Sequence, residues 1–255
     1  MVRGLYTAAM GMNVQAKRLD IVSNDLANAG TTGYKKDVAV VSSFKEEYLA
    51  RLNDQQNFAP NNAIIGKITY GAKIDEVYTD FTQGSVRATS SPNDLAIQGD
   101  GFFTVQTPNG LAYTRDGNFM INQFGQLVTS EGYNVMGQEG AIELGEDYFT
   151  QGNSIVVQGN GEIYLDGAYI DTLDIANFTD NRSLTKLDDN LYTSTGERGE
   201  FTGGIIQSFL ETSNVNTVSA MVDMITVARA YETNQKMVQT QDSLLGKAVN
   251  ELGRG

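Results

Sequence analysis

The 255-residue chain contains no cysteine, no histidine and no tryptophan, and it contains only three prolines. Without cysteine no disulfide can form, so a disulfide-stapled scaffold is excluded. Without histidine and cysteine, neither a Ser-His-Asp nor a Cys-His catalytic arrangement is possible. Zinc sites built from those two residue types are excluded for the same reason. We therefore expect no cofactor, no metal site and no catalytic residues.

Long hydrophobic runs are also missing. No segment approaches the roughly 20 consecutive apolar residues that a membrane-spanning helix needs. The first residues lack a continuous apolar run of signal-peptide length. Phosphate-binding fingerprints are absent too, because the pairs Gly99/Gly101 and Gly159/Gly161 lack a third glycine and a following helix. We expect a protein that is not inserted in a membrane.

The net charge of −13 is unevenly distributed. Residues 1–30 carry a net charge of +1 and residues 215–255 are neutral, so residues 31–214 carry −14. An acidic middle keeps the protein soluble and repels nucleic acid. Nearly neutral ends can pack against copies of themselves without much repulsion. The charge pattern therefore favours self-assembly and predicts no nucleic-acid partner.

Both ends carry stripes of mostly apolar residues in alternating steps of three and four. That spacing places side chains on one face of a helix and is typical of helices that pack on other helices. We predict helices over about 4–28 and from Asn214 or Asn216, as the capping residue, to about Leu252. Burial as a two-helix hairpin within one chain stays the alternative to self-assembly. The stripes are Leu5, Ala8, Met12, Gln15, Leu19, Val22 and Leu26, and then Met221, Met224, Ala228, Tyr231, Gln235, Val238, Asp242, Leu245, Val249 and Leu252, with a second apolar face at Val218, Val222 and Ile225.

The middle of the chain is rich in glycine and in short runs of strand-forming residues, from about Ile64 to Leu210. Asn-Gly and Asp-Gly pairs favour tight hairpin turns, and no crossover helix for a parallel sheet is visible. Residues 53–63 are predicted to form a loop. Residues 35–52 are ambiguous, because Val38, Val40 and Phe44 indicate a strand whereas 46–52 could be a short helix. The fold class predicted is α+β, with terminal helices and an antiparallel, hairpin-based β-rich middle domain. The turn pairs begin at Asp100, Asn109, Asp116, Asn160 and Asp166.

Three groups of side chains could carry chemistry, and each has a simpler structural explanation. Asp94 and Asp100 could act as an acid and a base, but solvated loop carboxylates are expected in an acidic domain. Residues 188–190 lack the spacing of a calcium loop. Phe102, Phe103 and their aromatic neighbours are expected to be core. A carbohydrate-binding or adhesive β-domain, and a carboxylate-based hydrolase, stay open as alternative functions.

Four separate motifs resemble the bacterial flagellar rod and hook axial family. The segment 23–35 (SNDLANAGTTGYK) resembles the N-terminal signature of that family, and 211–216 with 229–234 resembles its C-terminal signature. The segments 93–103 and 113–119 resemble the middle domain of rod subunits. The motif residues are Ser23, Asn24, Leu26, Ala27, Asn28, Thr31, Gly33, Tyr34, Ser213, Asn214, Val215, Asn216, Arg229, Tyr231 and Glu232.

The resemblance implies a structural subunit of the flagellar basal-body rod, which connects the motor to the hook. Such subunits stack helically, with their terminal helices paired in an axial coiled coil and a β-rich domain outside. The implied partners are further copies, other rod and hook subunits, and the flagellar type III apparatus, which exports the chain without a cleaved signal peptide. Proximal and distal rod subunits both fit. The implied domains are axial helices at 1–32 and 214–255, connecting segments at 33–74 and 196–213, and an outer β-rich domain at 75–195.

We expect the apolar stripes to make the subunit contacts, with the N-terminal set packing against Met221, Met224, Ala228, Tyr231, Leu245 and Val249. Gly30 is expected to close the first helix in a left-handed conformation. The segment Asn24–Tyr34 is expected to join that helix to the body and to bond a neighbouring subunit. The packing residues are Leu5, Met12, Leu19, Val22, Leu26, Val218, Met221, Val222, Met224, Ile225, Ala228, Tyr231, Val238, Leu245 and Val249.

Overall fold

The computed structural model describes residues 2–50, 64–145, 155–188 and 190–253. It forms two compact units: a helical unit (Met1–Leu26, Asp37–Tyr78 and Thr217–Gly255) and a β unit (Ala27–Lys36 and Thr79–Asn216). Helices α1 (Val2–Ala27) and α2 (Thr217–Leu252) stand at the two ends. The strands are β1 Asp37–Ser43, β2 Glu47–Ala50, β3 Ile64–Ile68, β4 Ala72–Thr79, β5 Val86–Ala88, β6 Leu95–Gln98, β7 Phe102–Thr107, β8 Gly110–Thr114, β9 Phe119–Ile121, β10 Leu127–Thr129, β11 Asn134–Val135, β12 Ile155–Val157, β13 Glu162–Leu165, β14 Ala168–Thr172, β15 Ile175–Phe178, β16 Leu184–Asp188, β17 Leu191–Ser194, β18 Arg198–Gly199, β19 Gly204–Gln207 and β20 Phe209–Glu211.

The predicted α+β class is confirmed, with a helix at each end and antiparallel strands between them. Each helix begins and ends within a few residues of its predicted bounds, because the stripes of three and four steps continue over those segments. Among the described residues, no helix is both long enough and apolar enough to span a bilayer. The 36-residue α2 is about 54 Å long at the standard helical rise.

The helical unit also contains two small antiparallel ribbons, β1 with β4 and β2 with β3. They lie beside the first turns of α1, where Tyr6 and Tyr70 meet edge to face with ring centroids 6.5 Å apart. A side chain at Gly71 would come within 3.2 Å of Met10. Strand β2 shows that the helix alternative for 46–52 is wrong over its first residues. The loop predicted for 53–63 lies outside the described residues.

The β unit is built around a sheet in the order β16-β17-β8-β7-β11-β10-β9, with β15 pairing with β7 and β18. A separate meander, β12-β13-β14, and the pairs β6-β19 and β5-β20 complete the unit. Every strand pair described is antiparallel, as the turn-rich sequence predicts. The two strands that precede α2, β19 and β20, pair with strands far back in the chain, so this unit is closed by its last segment.

The turn pairs divide into two kinds. Those at Asn109, Asn160 and Asp166 close the hairpins β7-β8, β12-β13 and β13-β14, as predicted. Those at Asp100 and Asp116 connect strands that do not pair with each other, so the hairpin prediction is wrong there. Both sites are too crowded for a larger residue: Gly101 lies against the side chains of Ile175 and Phe201, and Gly117 lies against the backbone of Leu95. A Cβ at the glycine after Asp116 would lie 1.6 Å from a backbone oxygen.

The aromatic side chains of the β unit are core, as expected. Phe103 and Phe119 meet edge to face at 5.0 Å inside the larger apolar cluster. Phe102 and Tyr113 belong to a second cluster. Tyr133 packs against the first cluster from its edge. Burial of these rings supplies a large apolar contribution to folding, and it leaves them unavailable as an open binding face.

Candidate assembly sites

The segment that follows α1 is bonded directly to the segment that precedes α2. The backbone N–H of Gly33 donates to the carbonyl oxygen of Glu211 at 2.9 Å. The Asn214 side chain accepts from the Lys36 N–H at 2.9 Å and donates to the Asp80 carbonyl oxygen at 2.8 Å. Two motifs from opposite ends of the sequence thus form one structural element of the β unit, which we call the signature joint (residues 28–36 and 211–214).

Gly33 is the residue of the joint that must be glycine. Its φ of 68° is left-handed, and a Cβ there would lie 2.5 Å from backbone atoms of Arg115 and Asp116. Gly30 shows no positive φ, and a side chain there would meet nothing within 4 Å. The prediction that Gly30 closes α1 in a left-handed conformation is therefore wrong, since the left-handed residue stands three positions later, where two backbone segments touch.

A buried ion cluster fastens the joint. Lys35 Nζ lies 2.6 Å from Glu211 Oε1, and Arg115 lies 3.3 Å from the other carboxylate oxygen. All three side chains are at most 3% exposed. Burial lowers the pKa of both Lys35 and Arg115, and the Glu211 carboxylate opposes that effect. Two cations therefore share one carboxylate in a buried environment, where loss of the carboxylate would leave both cations without a counter-charge.

The sequence motifs contained these three residues without assigning them a role. Each stands in a different motif, at the end of the N-terminal signature, in the middle motif, and at the start of the C-terminal signature. A signal was available, since charged residues are expected to be exposed unless they are paired. No sequence spacing, however, shows that residues 35, 115 and 211 converge.

The other motif residues are divided between the two units. Thr31 Oγ1 donates to Asn28 Oδ1 at 3.1 Å, and Tyr34 is fully buried with Lys186 Nζ 4.4 Å from its ring centre. Ser213 Oγ accepts from the Val215 N–H. Asn214 is used in the joint, so only Asn216, directly before α2, stands where a helix cap is placed. In α2, Tyr231 is half-buried, while Arg229 and Glu232 are exposed.

Within the helical unit, α1 and α2 approach each other at two glycines. A Cβ on Gly4 would lie 3.4 Å from the Gln241 amide, and one on Gly11 would lie 3.1 Å from the Asn234 amide. From the first contact to the second, the sequence advances by seven residues on α1 and goes back by seven residues on α2, so the two helices are antiparallel. The side-chain oxygens of Gln15 and Gln241 are buried there without a hydrogen-bond partner. The helices thus meet along a seam that contains polar residues.

The predicted stripe of α2 is only partly covered, because its described positions Met221, Gln235, Asp242 and Val249 are exposed. Met224, Ala228, Tyr231, Val238 and Leu245 are half-buried, as the stripe requires, but Met221 is 52% exposed and Val249 is 70% exposed. The expected packing of those two residues on α1 is therefore not observed within the chain. Most of the less exposed positions follow alternating steps of four and three, and Ala228 and Ala230 add to them; the series is Ala220, Met224, Val227, Tyr231, Asn234, Val238, Gln241, Leu245 and Ala248.

The first turns of α2 carry a second apolar face. Val218, Met221, Val222 and Ile225 are each more than half exposed. At 100° per residue they lie on roughly the opposite side of the helix from the seam. On α1, the predicted packing residues Leu5, Met12, Leu19, Val22 and Leu26 are all half-buried. As contacts between subunits, both sets stay predictions.

The geometry does not support the alternative in which Asp94 and Asp100 act as an acid-base pair. Asp94 is buried in the β unit, whereas Asp100 is exposed at the turn before β7. Among the described residues, no group of three or more carboxylates is arranged to hold a metal ion. The possible calcium turn at 188–190 includes a residue outside the described ranges.

Three models of flagellar protein families match separate parts of this chain. The family model described as "Flagella basal body rod protein" matches residues 5–35. The "Flagellar hook protein FlgE/F/G D1 domain" model matches 96–165, and the "Flagellar basal body rod FlgEFG protein C-terminal" model matches 206–251. The first match includes residues 28–35 of the joint, and the last includes 211–214.

Full-length relatives carry the same description. The flagellar basal-body rod protein FlgG of Buchnera aphidicola is 34% identical over 97% of this chain and 98% of its own length. That of Borreliella burgdorferi is 34% identical over 98% of each. The flagellar hook-basal body complex protein FlhO of Bacillus subtilis is 29% identical over both entire chains. The two alternative functions receive no support from these matches. Because the similarity extends over almost the entire length, the chain belongs to the flagellar basal-body rod protein family, and it is a structural protein of the flagellar basal body rather than an enzyme.

Proposed function

We propose that the chain polymerises into the rod through its two terminal helices, which form a coiled-coil layer along the rod axis. In this arrangement residues 1–32 and 214–255 are axial, 33–74 and 196–213 connect, and the β-rich part, 75–195, lies outside. Copies of the chain stack helically, and the ends of the stack contact other rod and hook subunits. The rod then transmits torque from the motor to the hook.

One observation carries this proposal: the second apolar face of α2. Four large apolar side chains that are more than half exposed on two helical turns form a surface that soluble monomers rarely leave open. Each such side chain gains roughly 1.5–3 kcal/mol when it is fully buried. With the seam of α2 already facing α1, the opposite face requires a neighbour on its other side, as a helix in a bundle or tube wall does.

The test is a charge placed on that face. In a strain that lacks the gene, Val222→Asp should fail to restore rods in purified basal bodies and should leave cells non-motile. Val222 is 57% exposed in the chain, so the substitution removes little internal packing. Leu19→Asp should also block assembly, but Leu19 is half-buried, which makes Val222→Asp the cleaner variant.

Gln239→Asp is the matched control, because it introduces the same charge at an exposed position of the same helix, outside the apolar face. Cells with this control should swim normally. Normal swimming with Val222→Asp would remove the basis of the proposal. The circular-dichroism spectrum and the urea unfolding of both purified variants should match those of the unaltered chain.

The proposal includes export by the flagellar type III apparatus, as the family resemblance implies. Cells without a working export apparatus should then retain the whole chain in the cytoplasm, and cells with the apparatus should place it in basal bodies. Fractionation followed by immunodetection separates these outcomes. Equal amounts outside the cytoplasm in both strains would refute this part alone.

A further inference from the structure

A cavity of about 590 Å³ opens in the β unit between the signature joint and the loops of the main sheet. One wall is the turn around Thr32, and the other includes Asp116, Glu131 and Asn190. The lining contains carboxylates, amides and hydroxyls, and it contains no lysine and no arginine. The charged side chains in this lining are Asp116 and Glu131, and both are acidic.

Asp116 brings an uncompensated negative charge to the cavity. Its Oδ1 accepts hydrogen bonds from Thr32 Oγ1 at 2.7 Å and from the Asn118 N–H at 3.0 Å. Burial raises the pKa of Asp116, and the neighbouring carboxylates of Glu131 and Asp94 raise it further. In the described part of the chain no basic side chain forms an ion pair with it. A carboxylate that is partly removed from water and has no cation beside it is costly to keep ionised.

Asn190 adds an unused acceptor to the same wall. Its Nδ2 donates to the Thr32 carbonyl oxygen at 2.8 Å, which fixes the orientation of the amide. Its Oδ1 is buried and has no hydrogen-bond partner. A buried acceptor that is left unpaired costs about 1–3 kcal/mol, so such groups in native proteins require an explanation.

The chemistry that fits this wall is a cationic hydrogen-bond donor. A lysine ammonium or an arginine guanidinium offers several hydrogen-bond donors and also the positive counter-charge that Asp116 and Glu131 lack. A second acidic group would add repulsion, and an apolar group would leave Asp116 and Glu131 without a counter-charge. The cavity therefore selects a basic side chain.

The chain itself supplies a matching group. It has two pairs of adjacent basic residues, Lys35-Lys36 and Lys17-Arg18. The first pair is already bonded, Lys35 to Glu211 and Lys36 to Asp80. The second pair is exposed on α1 and forms no ion pair among the described residues.

We propose that this cavity is a docking site between subunits, which receives the Lys17-Arg18 pair from a second copy of the chain. The inference rests on the proposed polymerisation and specifies one contact within it. The contact joins the acidic β unit of one copy to the nearly neutral helical unit of the next. Because it needs both a cavity and a cation, it also favours one relative placement of the two copies over others.

The absence of cysteine makes this contact testable by cross-linking, since the engineered thiols are then the only thiols in the chain. Chains that carry Glu131→Cys together with Lys17→Cys or Arg18→Cys are expressed in the deletion strain, and basal bodies are oxidised with copper-phenanthroline. Glu131 is exposed at the rim of the cavity, so its replacement removes no core contact. Non-reducing gels should show a ladder of covalent dimers and larger species.

The control pair is Glu143→Cys with Lys17→Cys, because Glu143 is an exposed carboxylate of the β unit outside the cavity lining. It should give no ladder. Equal ladders for both pairs, or rods that assemble normally without a ladder for the Glu131 pairs, would overturn the docking site. A disulfide that forms only within single chains would also overturn it, because Lys17 and Arg18 would then lie beside the cavity of their own chain.

Charge reversal gives a second, independent reading. Glu131→Lys alone and Lys17→Glu with Arg18→Glu should each reduce the swimming diameter at least about twofold, and the combination should recover most of the loss. Loss without recovery would count against the contact. These outcomes are separate from the Val222→Asp test: if that variant swims normally, polymerisation through the helices is refuted, whereas a missing ladder in normal rods refutes only this site.

Discussion

The two units of this chain differ in how completely they bury their apolar side chains. Of the buried apolar side chains described, the helical unit contributes Val14, Ala220 and Val227, and the β unit contributes all the others. Large exposed apolar residues show the opposite distribution, and most of them lie in the helical unit. The β unit therefore contains its own core, while the helical unit leaves much of its apolar surface uncovered. This difference is expected for a protein in which one part folds alone and the other is completed by assembly.

The largest expected effect is a difference in hydrogen exchange between the two units of the dilute, isolated chain. Amides of β7 and β8, deep in the core, should exchange only on global unfolding, whereas the second half of α2 should exchange through local fraying. With global stabilities of 5–15 kcal/mol, the protection factors should differ by about 1,000-fold or more. Exchange monitored by mass spectrometry measures this difference directly. Similar protection in both units would erase the contrast on which the assembly model depends.

The next largest effect should come from removing the shared carboxylate of the ion cluster. Glu211→Ala leaves Lys35 and Arg115 buried together without a counter-charge, and we expect a loss of about 3–5 kcal/mol in the free energy of unfolding. Lys35→Met should cost much less, because Arg115 and Glu211 then remain as a neutral pair. Urea unfolding of the purified chains measures both.

Glu200→Ala is a control for the loss of a carboxylate, since Glu200 is exposed in the same unit. It should shift the urea midpoint little. If Lys35→Met destabilised the chain as much as Glu211→Ala, the carboxylate would not be the critical group of the cluster. The stability of the joint would then need an explanation other than the neutralisation of two cations by Glu211.

The ion cluster also shows where prediction from sequence ends. The helices were predictable because steps of three and four are a local property of the chain, and the hairpins at Asn109, Asn160 and Asp166 follow from two-residue turn chemistry. The joint of Gly33, Lys35 and Glu211 depends on residues more than a hundred positions apart, so no local pattern reveals it. The seam of α2 was predicted only in part, because the polar residues Asn234 and Gln241 face α1 whereas the predicted stripe passes through the adjacent Gln235 and Asp242.

A smaller effect is expected at the glycine of the joint. Gly33→Ala forces a non-glycine residue into a left-handed conformation and also pushes its Cβ toward backbone atoms of the β unit, so we expect a loss of at least about 2 kcal/mol. Gly30→Ala is the matched control and should be neutral or slightly stabilising, because no atom lies within 4 Å of the added methyl group. Thermal unfolding distinguishes the two. Equal stabilities would mean that the tight crossing at Gly33 relaxes without cost.

The smallest effect concerns Asp116 and depends on pH. Its pKa in the folded state is raised by burial, so the folded chain holds this proton to a higher pH than the unfolded chain does. The stability that comes from the protonated form is therefore fully present below the unfolded pKa and is lost as the pH rises through the folded pKa. Asp116→Asn keeps an oxygen to accept from Thr32 and Asn118 but cannot ionise. The variant should match the unaltered chain at about pH 3.5 and exceed it in stability at pH 7, as measured by urea midpoints across that range. A constant difference in stability at all pH values would show that the folded chain does not disfavour the ionised form of Asp116. The wall of the cavity would then differ in no electrostatic respect from the rest of the acidic surface of the β unit, and the reason to expect a bound cation would be lost.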